Sequence, residues 1–572
     1  MPVLVEEVIQ KRWRLHKQHQ GTAQKISEHL NIHPLLCQIL LNRNITSLDK
    51  ARLFLGEPDL DSVDYFDQAA LEASVSVVFE AIEKNQKILI YGDYDVDGIT
   101  STTLLVDFLK QINANVHFFI PNRFEHGYGL HVCVGDLILQ TQATVLITLD
   151  CGVSSKDIID PVVEKYGTKV IILDHHKIPD ELPNFDAMLN PKTLHPSHYL
   201  AHLCTAGIVY EFIKFYIQHY KLDLKSEPFL DLVALGTVAD IAKLEGANRT
   251  YIKRGLPFLS RSHRPGIRAL LERAKCEKSV LTTRDCGFVI APRLNASGRL
   301  ASALLGVELL LSDTVPEADK RSHQLEALNQ DRREIDLMVF KACVAEVEGH
   351  PEYKDHPILV LSGKEWHSGV IGITAAKLVD KYSKPVVIVS FAGNIGRASA
   401  RSVGKVDLYE VLKTCKPYFE TFGGHKEAAG FSIKEEKMAA FKEALIKNSI
   451  PMITPQDLQP IVNIDAEVDP KELTLDLAEQ LMLLEPFGQG NPQPILHTDK
   501  LKLIECKAVG TGEHVKTTFS DETGRHIIEG IGFGLSHKMA LFNRPGFSVI
   551  FHLSINEWKG RRLPQLEIVD IK

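Results

Sequence analysis

The chain lacks what a disulfide scaffold, a zinc ribbon, an export signal or a membrane span requires. Its nine cysteines, at 37, 133, 151, 204, 276, 286, 343, 415 and 506, are odd in number, scattered and never spaced as a CxxC pair, which argues for a reducing compartment. The opening stretch from Met1 to Arg12 has no basic region followed by an apolar core, and no run of 18 apolar residues occurs anywhere, so a cytoplasmic protein with no membrane association is expected. Excess positive charge is missing too. The net charge is -8, so a polyanionic substrate would have to be held by local basic residues and bound metal. There is no internal repeat and no low-complexity tract. What is present is an ordinary globular composition, 44% hydrophobic and 24% charged, over 572 residues, too long for one core and suited to three or four domains.

The most informative stretch is Tyr91-Gly-Asp93-Tyr-Asp95-Val-Asp97-Gly98, three carboxylates at alternate positions directly after the apolar run Lys87 to Tyr91. Three negative charges brought within a few ångströms cost several kcal/mol unless cations neutralise them, and hard oxygen ligands point to Mg²⁺, Mn²⁺ or Ca²⁺. A calcium loop fits poorly. The twelfth position from Asp93, where an EF-hand carries a bidentate Glu, is Leu104, and a strand leads in where a helix should.

Five regions are expected along the chain. Residues 1–70 read as a polar helical cap, with a turn signal at Leu55 to Pro58 and an acidic spacer at Asp59 to Asp64. Residues 71–315 alternate amphipathic helices with short buried strands at Lys87 to Tyr91, Val116 to Ile120, Thr144 to Leu149 and Lys169 to Leu173, with a helix over Ile99 to Lys110, the signature of a parallel α/β sheet. Residues 316–350 space Leu325, Leu328, Ile335, Val339 and Cys343 as one long connecting helix. A second, smaller α/β lobe at 351–449 starts with strands at Pro357 to Ser362 and Pro385 to Ser390 around a helix from Val370 to Tyr382. A small β-barrel over 450–572 follows the Pro-rich junction Glu485 to Pro494.

In an open parallel sheet, residues just past the strand ends converge on one crevice. Here those residues are acids: Asp93, Asp95 and Asp97; Asp150; Asp174 with His175 and His176; and Asp240, which closes another apolar segment. A lone Asp after a strand is usually a helix cap and a lone His is usually structural. The coincidence supplies enough ligands for two hard metal ions, which together can bind a phosphodiester, activate water and stabilise a leaving oxygen. Phosphoester hydrolysis is the natural inference.

Asp93-Tyr-Asp95-Val-Asp97-Gly, Asp150-Cys-Gly and Asp174-His-His resemble the motifs of the DHH phosphoesterase superfamily. The likeness narrows with Gly236-Thr-Val-Ala-Asp240 and Ala291-Pro-Arg-Leu-Asn-Ala-Ser-Gly-Arg-Leu300, which are similar to segments of the RecJ family of single-strand-specific 5′ to 3′ DNA exonucleases. Trp366-His-Ser-Gly-Val-Ile-Gly372, Gly396-Arg-Ala-Ser-Ala-Arg-Ser402 and Gly423-Gly-His-Lys-Glu-Ala-Ala-Gly430 resemble the accessory DHHA1 domain, and Glu485-Pro-Phe-Gly-Gln-Gly-Asn-Pro492 the start of an oligonucleotide-binding (OB) domain. The resemblance runs in order from about residue 40 to the end.

It implies a catalytic set of Asp93, Asp95, Asp97, Asp150, Asp174, His175, His176 and Asp240, with Asp95, Asp97, Asp150, His175 and Asp240 as ligands of two Mn²⁺ or Mg²⁺ ions and Asp150 between them. Tyr91 departs from the pattern, standing where many superfamily members carry His. Arg123 follows a strand, while Arg293 and Arg299 lie in what reads as a Gly-containing loop, and all three are candidates for phosphate. Arg397, Ser399, Arg401 and Ser402, with Gly423, Gly424 and His425, read as two small-residue loops able to approach a phosphate closely. The resemblance makes them readers of the 5′ end. In the barrel, His514 and Lys516, with Lys559, Arg561 and Arg562 near the end, are candidate backbone contacts; ordinary turns and a solvated basic edge are the plain alternative.

The expected activity is exonucleolytic removal of mononucleotides from the 5′ end of single-stranded DNA, in repair and recombination. The substrate strand would pass between the two α/β lobes. By resemblance, a single-strand-binding protein and a helicase are partners, and a monomer suffices. The alternative is another superfamily phosphoesterase acting on pyrophosphate, cyclic dinucleotides or short oligonucleotides. A binding scaffold with a dead site is a third reading.

Overall fold

The computed structural model describes residues 11–56, 67–127, 129–276 and 278–572. The opening residues 1–10, the Glu57-Pro58 half of the expected turn and the acidic spacer Asp59 to Asp64 lie outside the described residues. The chain divides into two compact units. One holds residues 14–292, 306–319 and 463–572, and the other 293–305 and 320–462 together with residues 11–13, each as far as it is described.

The first unit is built on five parallel strands, β1 (Lys87–Tyr91), β2 (Asn115–Phe119), β3 (Ala143–Leu149), β4 (Lys169–Leu173) and β5 (Ala187–Leu189), in the order β2-β1-β3-β4-β5. The inner strands are apolar without alternation because both sheet faces are covered: Ile88, Leu89 and Ile90 are buried in succession, as are Val145, Leu146 and Ile147. Helices α1 (Gln68–Glu83) and α2 (Val96–Gln111) flank β1 in sequence, and α3 (Thr205–His219) and α4 (Leu230–Ala239) pack on α2 and on each other. Helix α3 is buried from Thr205 to Ile217 on every side, so it carries no 3.6-residue stripe to read.

Further along the chain lie helix α5 (Ala291–Leu300) and the 35-residue α6 (Val315–Gly349), most of each counted with the second unit. In α6 the expected inward positions Leu325, Val339 and Cys343 are fully buried. The second unit's sheet comprises β6 (Leu359–Lys364), β7 (Val386–Ala392), β8 (Ile395–Arg401), β9 (Phe419–Gly424) and β10 (Ala428–Lys434), in the order β9-β10-β8-β7-β6. Only β6 and β7 are parallel, joined by helix α7 (Ile371–Tyr382); the remaining pairs are antiparallel.

The C-terminal strands belong to the first unit. They form one mixed seven-stranded sheet from β11 (Ala466–Glu467), β12 (Leu496–Thr498), β13 (Lys502–Val509), β14 (His514–Ser520), β15 (Ile527–Gly532), β16 (Val549–Trp558) and β17 (Arg561–Ile571), in the order β11-β12-β16-β17-β15-β14-β13. The N-terminal helices share its core: Leu36, Ile39 and Leu40 lie in one hydrophobic cluster with Phe519 and Phe551. Arg249 ties the parts of this unit together, donating to the carbonyls of Phe54, Leu483, Leu484 and Glu485. Among the described residues no helix is long and apolar enough to cross a membrane.

Candidate metal centre

Every acid of the proposed cluster sits where backbone geometry fixes it. Past β1, the Asp95 side chain caps helix α2, accepting from the amides of Asp97 at 2.9 Å and Gly98 at 3.1 Å. The loop folds back so tightly that a Cβ on Gly98 would lie 2.3 Å from the Asp93 carbonyl oxygen. Past β3, Asp150 adopts a left-handed backbone (φ 61°) and donates its amide to Leu173, a conformation held against steric preference by the surrounding sheet. Past β4, Asp174 accepts from the amides of Val153 and His176 and from His176 Nδ1 at 2.7 Å. Asp240 closes a helix, not a strand: it follows α4 and donates its amide to Gly236.

These side chains converge. His175 Nε2 lies 3.1 Å from Asp150 Oδ1 and 3.9 Å from Asp97 Oδ2, while its Nδ1 lies 3.8 Å from Asp240 Oδ2. His176 Nδ1 is 3.9 Å from Asp150 Oδ1. Three overlapping groups could each hold an ion, namely Asp97 with His175 and Asp240, Asp93 with Asp95 and Asp150, and Asp150 with His175 and His176. Asp150 and His175 are shared between groups, an arrangement suited to two neighbouring ions. Asp174 belongs to none of them, and its bonds make it the orienter of His176.

The electrostatics call for cations. Burial, reinforced by neighbouring carboxylates, pushes Asp93 and Asp240 up to about 8 and raises Asp97 and Asp150 as well. Burial also opposes charge on Asp174, but hydrogen bonds to His176 and Val153 outweigh it and hold that carboxyl below the usual range. Burial lowers His175; it opposes the charge on His176 too, but there the contact with Asp174 wins and raises the imidazole. Asp93 Oδ1 is buried with no hydrogen-bond partner among the described residues. An orphaned carboxylate oxygen in an acidic, imidazole-containing cluster fits a hard or borderline divalent ion such as Mg²⁺ or Mn²⁺.

Tyr91 is a core residue, packed with Leu89 and Leu146. Its hydroxyl accepts from the His131 amide and faces the Gly129 carbonyl, bracing the loop that carries Arg123. Arg123 lies over the Tyr94 ring at 5.4 Å, and its charge partly opposes the burial that raises Asp93. The same loop brings His126, His131 and Cys133 together. Both Nδ1 atoms there accept backbone amides, of Asn122 and Cys133, and burial raises the Cys133 thiol. That group braces the loop.

Some of the other expected sites lie in backbone settings different from those expected. Arg293 and Arg299 lie in helix α5, not in a loop, where Ala291, Leu294 and Ser297 are buried at helical spacing. Arg293 donates to both carboxylate oxygens of Glu326, at 2.6 and 3.3 Å, and Arg299 to the Gly369 carbonyl. Arg397, Ser399 and Arg401 occupy strand β8, not a loop, and as alternate residues they share one sheet face. Arg401 donates to Ser399 Oγ at 3.1 Å. A Cβ on Gly372 would lie 2.9 Å from Ser399 Oγ and 3.0 Å from Arg401 Nη2, so the N-terminus of α7 abuts this pair. The second presumed loop is mostly strand as well. Gly423 and Gly424 end β9, and Gly424 (φ 146°) closes tightly on Ala428 and Ala429. Ser402 donates its hydroxyl to the Val406 carbonyl, and exposed His425 contacts Glu427 at 2.8 Å. On β14, His514 accepts the Gly534 amide and Lys516 pairs with Glu529 at 3.0 Å. Arg562 pairs with Glu479, while Lys559 sits by the exposed Trp558.

Sequence reasoning missed the N-terminus of α3. The amides of Thr205 and Ala206 donate to the two oxygens of Asp97, and the Thr205 hydroxyl to Asp150. No local motif signals this, since the partners are 108, 109 and 55 residues apart.

Comparison with known proteins agrees with this architecture. Residues 87–237 match the DHH family, N-terminal domain; residues 355–448 match the DHHA1 domain; and residues 464–570 match the RecJ OB domain. The single-stranded-DNA-specific exonuclease RecJ of Bacillus subtilis is 31% identical over 563 residues, 98% of this chain and 70% of that protein. RecJ of Haemophilus influenzae is 33% identical over 570 residues, covering 95% and 96% of the two chains. The crystal structure of RecJ in complex with Mn²⁺ from Thermus thermophilus superposes with a TM-score of 0.84 at 26% identity, over 98% of this chain and 79% of that one. With an acidic centre at the strand ends and this domain series along nearly its whole length, the chain belongs to the RecJ family of single-stranded-DNA-specific exonucleases.

Proposed function

We propose that this protein is a divalent-metal-dependent exonuclease that degrades single-stranded DNA from its 5′ end to mononucleotides, in DNA repair and recombination. The observation that carries the reading is the meeting of Asp93, Asp95, Asp97, Asp150, His175 and Asp240 past the ends of β1, β3, β4 and α4. Asp95, Asp97, Asp150, His175 and Asp240 would hold two Mn²⁺ or Mg²⁺ ions, with Asp93 completing the set through its unpartnered oxygen. When bound, such a pair of ions supplies an activated water and charge compensation for in-line displacement at phosphorus.

The chain's own residues do the rest. His176, held on Nδ1 by Asp174 and raised in basicity, presents its other ring nitrogen to a phosphate oxygen, to which it can donate a hydrogen bond when the ring is protonated. Arg123 adds a cation beside the acidic loop. In the second unit, the face of β8 carrying Arg397, Ser399 and Arg401, set against the N-terminus of α7, suits a terminal 5′ phosphate, with Ser402, Gly424 and His425 at its border. His514 and Lys516 would track the strand from the C-terminal sheet. Arg293 and Arg299 act through Glu326 and Gly369, positioning α5.

In this reading residues 1–70, 71–315, 316–350, 351–449 and 450–572 are cap, catalytic, connecting, end-recognising and strand-holding segments of a cytoplasmic monomer. A helicase and a single-strand-binding protein would supply its substrate. A polymer-holding sheet of seven strands has no use in a pyrophosphatase or cyclic-dinucleotide hydrolase, which sets those activities aside. The test is end-labelled single-stranded DNA of both polarities with Mn²⁺, then with chelator. Release of labelled mononucleotide from the 5′ end alone, abolished by chelator, is expected; release from the 3′ end or in chelator would refute the proposal.

A further inference from the structure

We infer that Thr205, at the start of α3, is the positioning residue that fixes the spacing of Asp97 and Asp150 and thereby sets the affinity of the metal centre. The inference rests on the two-ion reading above. Asp97 comes from the first turn of α2 and Asp150 from a strained turn after β3, two segments that are separate in sequence and each need a third to set one carboxylate against the other. Thr205 does so by itself. Its amide donates to Asp97 Oδ2 at 2.7 Å and its hydroxyl to Asp150 Oδ1 at 3.1 Å, while the next amide, of Ala206, takes the second oxygen of Asp97 at 2.9 Å.

The bonds are made where they count most. Thr205 is fully buried, Asp97 is 1% exposed and Asp150 2% exposed, so no solvent competes for these oxygens and a lost donor is not replaced. Both oxygens of Asp97 also meet the positive end of the 15-residue helix α3, which favours the ionised carboxylate that an ion requires. Asp150 Oδ1 is shared between the Thr205 hydroxyl and His175 Nε2, so the hydroxyl fixes which way that carboxylate turns relative to the histidine. Gly236 completes the packing: a Cβ there would lie 2.8 Å from Ala206 Cβ and 3.1 Å from Asp97 Oδ1, so α4 presses the start of α3 onto Asp97. Thr205 touches neither substrate nor water in this scheme; it acts through two ligands.

The discriminating substitutions are Thr205→Val, which keeps the shape and the helix amides but removes the hydroxyl, and Thr205→Ser, which restores it. Mn²⁺ binding to the full-length, DNA-free protein is titrated by electron paramagnetic resonance, alongside the Mn²⁺ concentration giving half-maximal nuclease rate. Thr205→Val is expected to weaken binding of at least one ion by roughly 10–100-fold, the range for outer partners of metal ligands, and to shift the half-maximal Mn²⁺ concentration upward by a similar factor. The KM for DNA should move far less, and Thr205→Ser should recover wild-type Mn²⁺ binding. Wild-type Mn²⁺ binding by Thr205→Val, or failure of Thr205→Ser to recover it, would overturn the inference and leave the two-ion reading intact. Absence of Mn²⁺ binding to the wild type would overturn both.

Discussion

The acidic centre of the catalytic sheet and the basic face of β8 in the second unit both suit a phosphate, yet they are built in opposite ways. In the first, several carboxylates are fixed by backbone amides from their own or a distant segment, as Asp95 is by α2 and Asp97 by α3. In the second, side chains on a regular strand are ordered by strand alternation and by one another, as Arg401 is by Ser399. Buried like charges are costly and need over-determined geometry; exposed cations tolerate rearrangement until a ligand gathers them. Substitutions should therefore be severe and specific in the first region and graded in the second.

The largest effect is expected from Asp97→Ala. It removes a proposed ligand and leaves the α3 amides without their acceptors, so the single-turnover cleavage rate should fall by more than the roughly 10–100-fold that outer partners contribute, while binding of single-stranded DNA measured by anisotropy persists. Next comes Arg401→Ala. Loss of one charge-assisted contact, about 1.5–3 kcal/mol, should cut the preference for 5′-phosphorylated over 5′-hydroxyl substrate by about 10-fold or more. Arg401→Lys should recover little of it, because an ammonium lacks the planar fork. Equal losses on both substrates would mean that β8 does not read the terminal phosphate.

This contrast also governs what was legible. The catalytic strands could be read because burial on both faces leaves unbroken apolar runs ending in acids, and β1 and β4 fall on the expected Lys87–Tyr91 and Lys169–Leu173. Thr205 could not be read, because its role arises only when α3 folds over Asp97. Arg293 and Arg299 read as loop residues because Asn295, Ser297 and Gly298 are weak helix formers, and tertiary burial of Leu294 and Ala296 overrode that preference. The strand face of β8 was hidden for a related reason. Small residues between its arginines look like loop, whereas pairing with β7 and β10 needs only their backbone.

A third effect concerns pH. In chelated protein, Asp93 and Asp240 titrate near 8, against about 4 for free carboxyls. A raised carboxyl favours the folded state at low pH, and that contribution is lost as pH rises through the folded value. Thermal stability in chelator should therefore fall between pH 7 and 8.5, Mn²⁺ should restore more of it at 8.5 than at 7, and Mn²⁺ binding at pH 7 should release protons, detectable by calorimetry in buffers of different ionisation heat. A stabilisation by Mn²⁺ that is independent of pH would show that these carboxyls are already ionised without metal.

The smallest effect should come from the C-terminal sheet. Lys516 already pairs with Glu529 on the same surface, and an exposed pair of this kind contributes only about 0–1 kcal/mol to stability. Lys516→Ala should thus leave the melting temperature almost unchanged. If Lys516 exchanges its carboxylate for a DNA phosphate, the substitution should lower the dependence of binding on salt by about one phosphate contact, uniformly across base sequences. A wild-type salt slope would assign Lys516 to the sheet alone, and would leave the metal centre and the β8 face as the parts of the molecule that grip the strand.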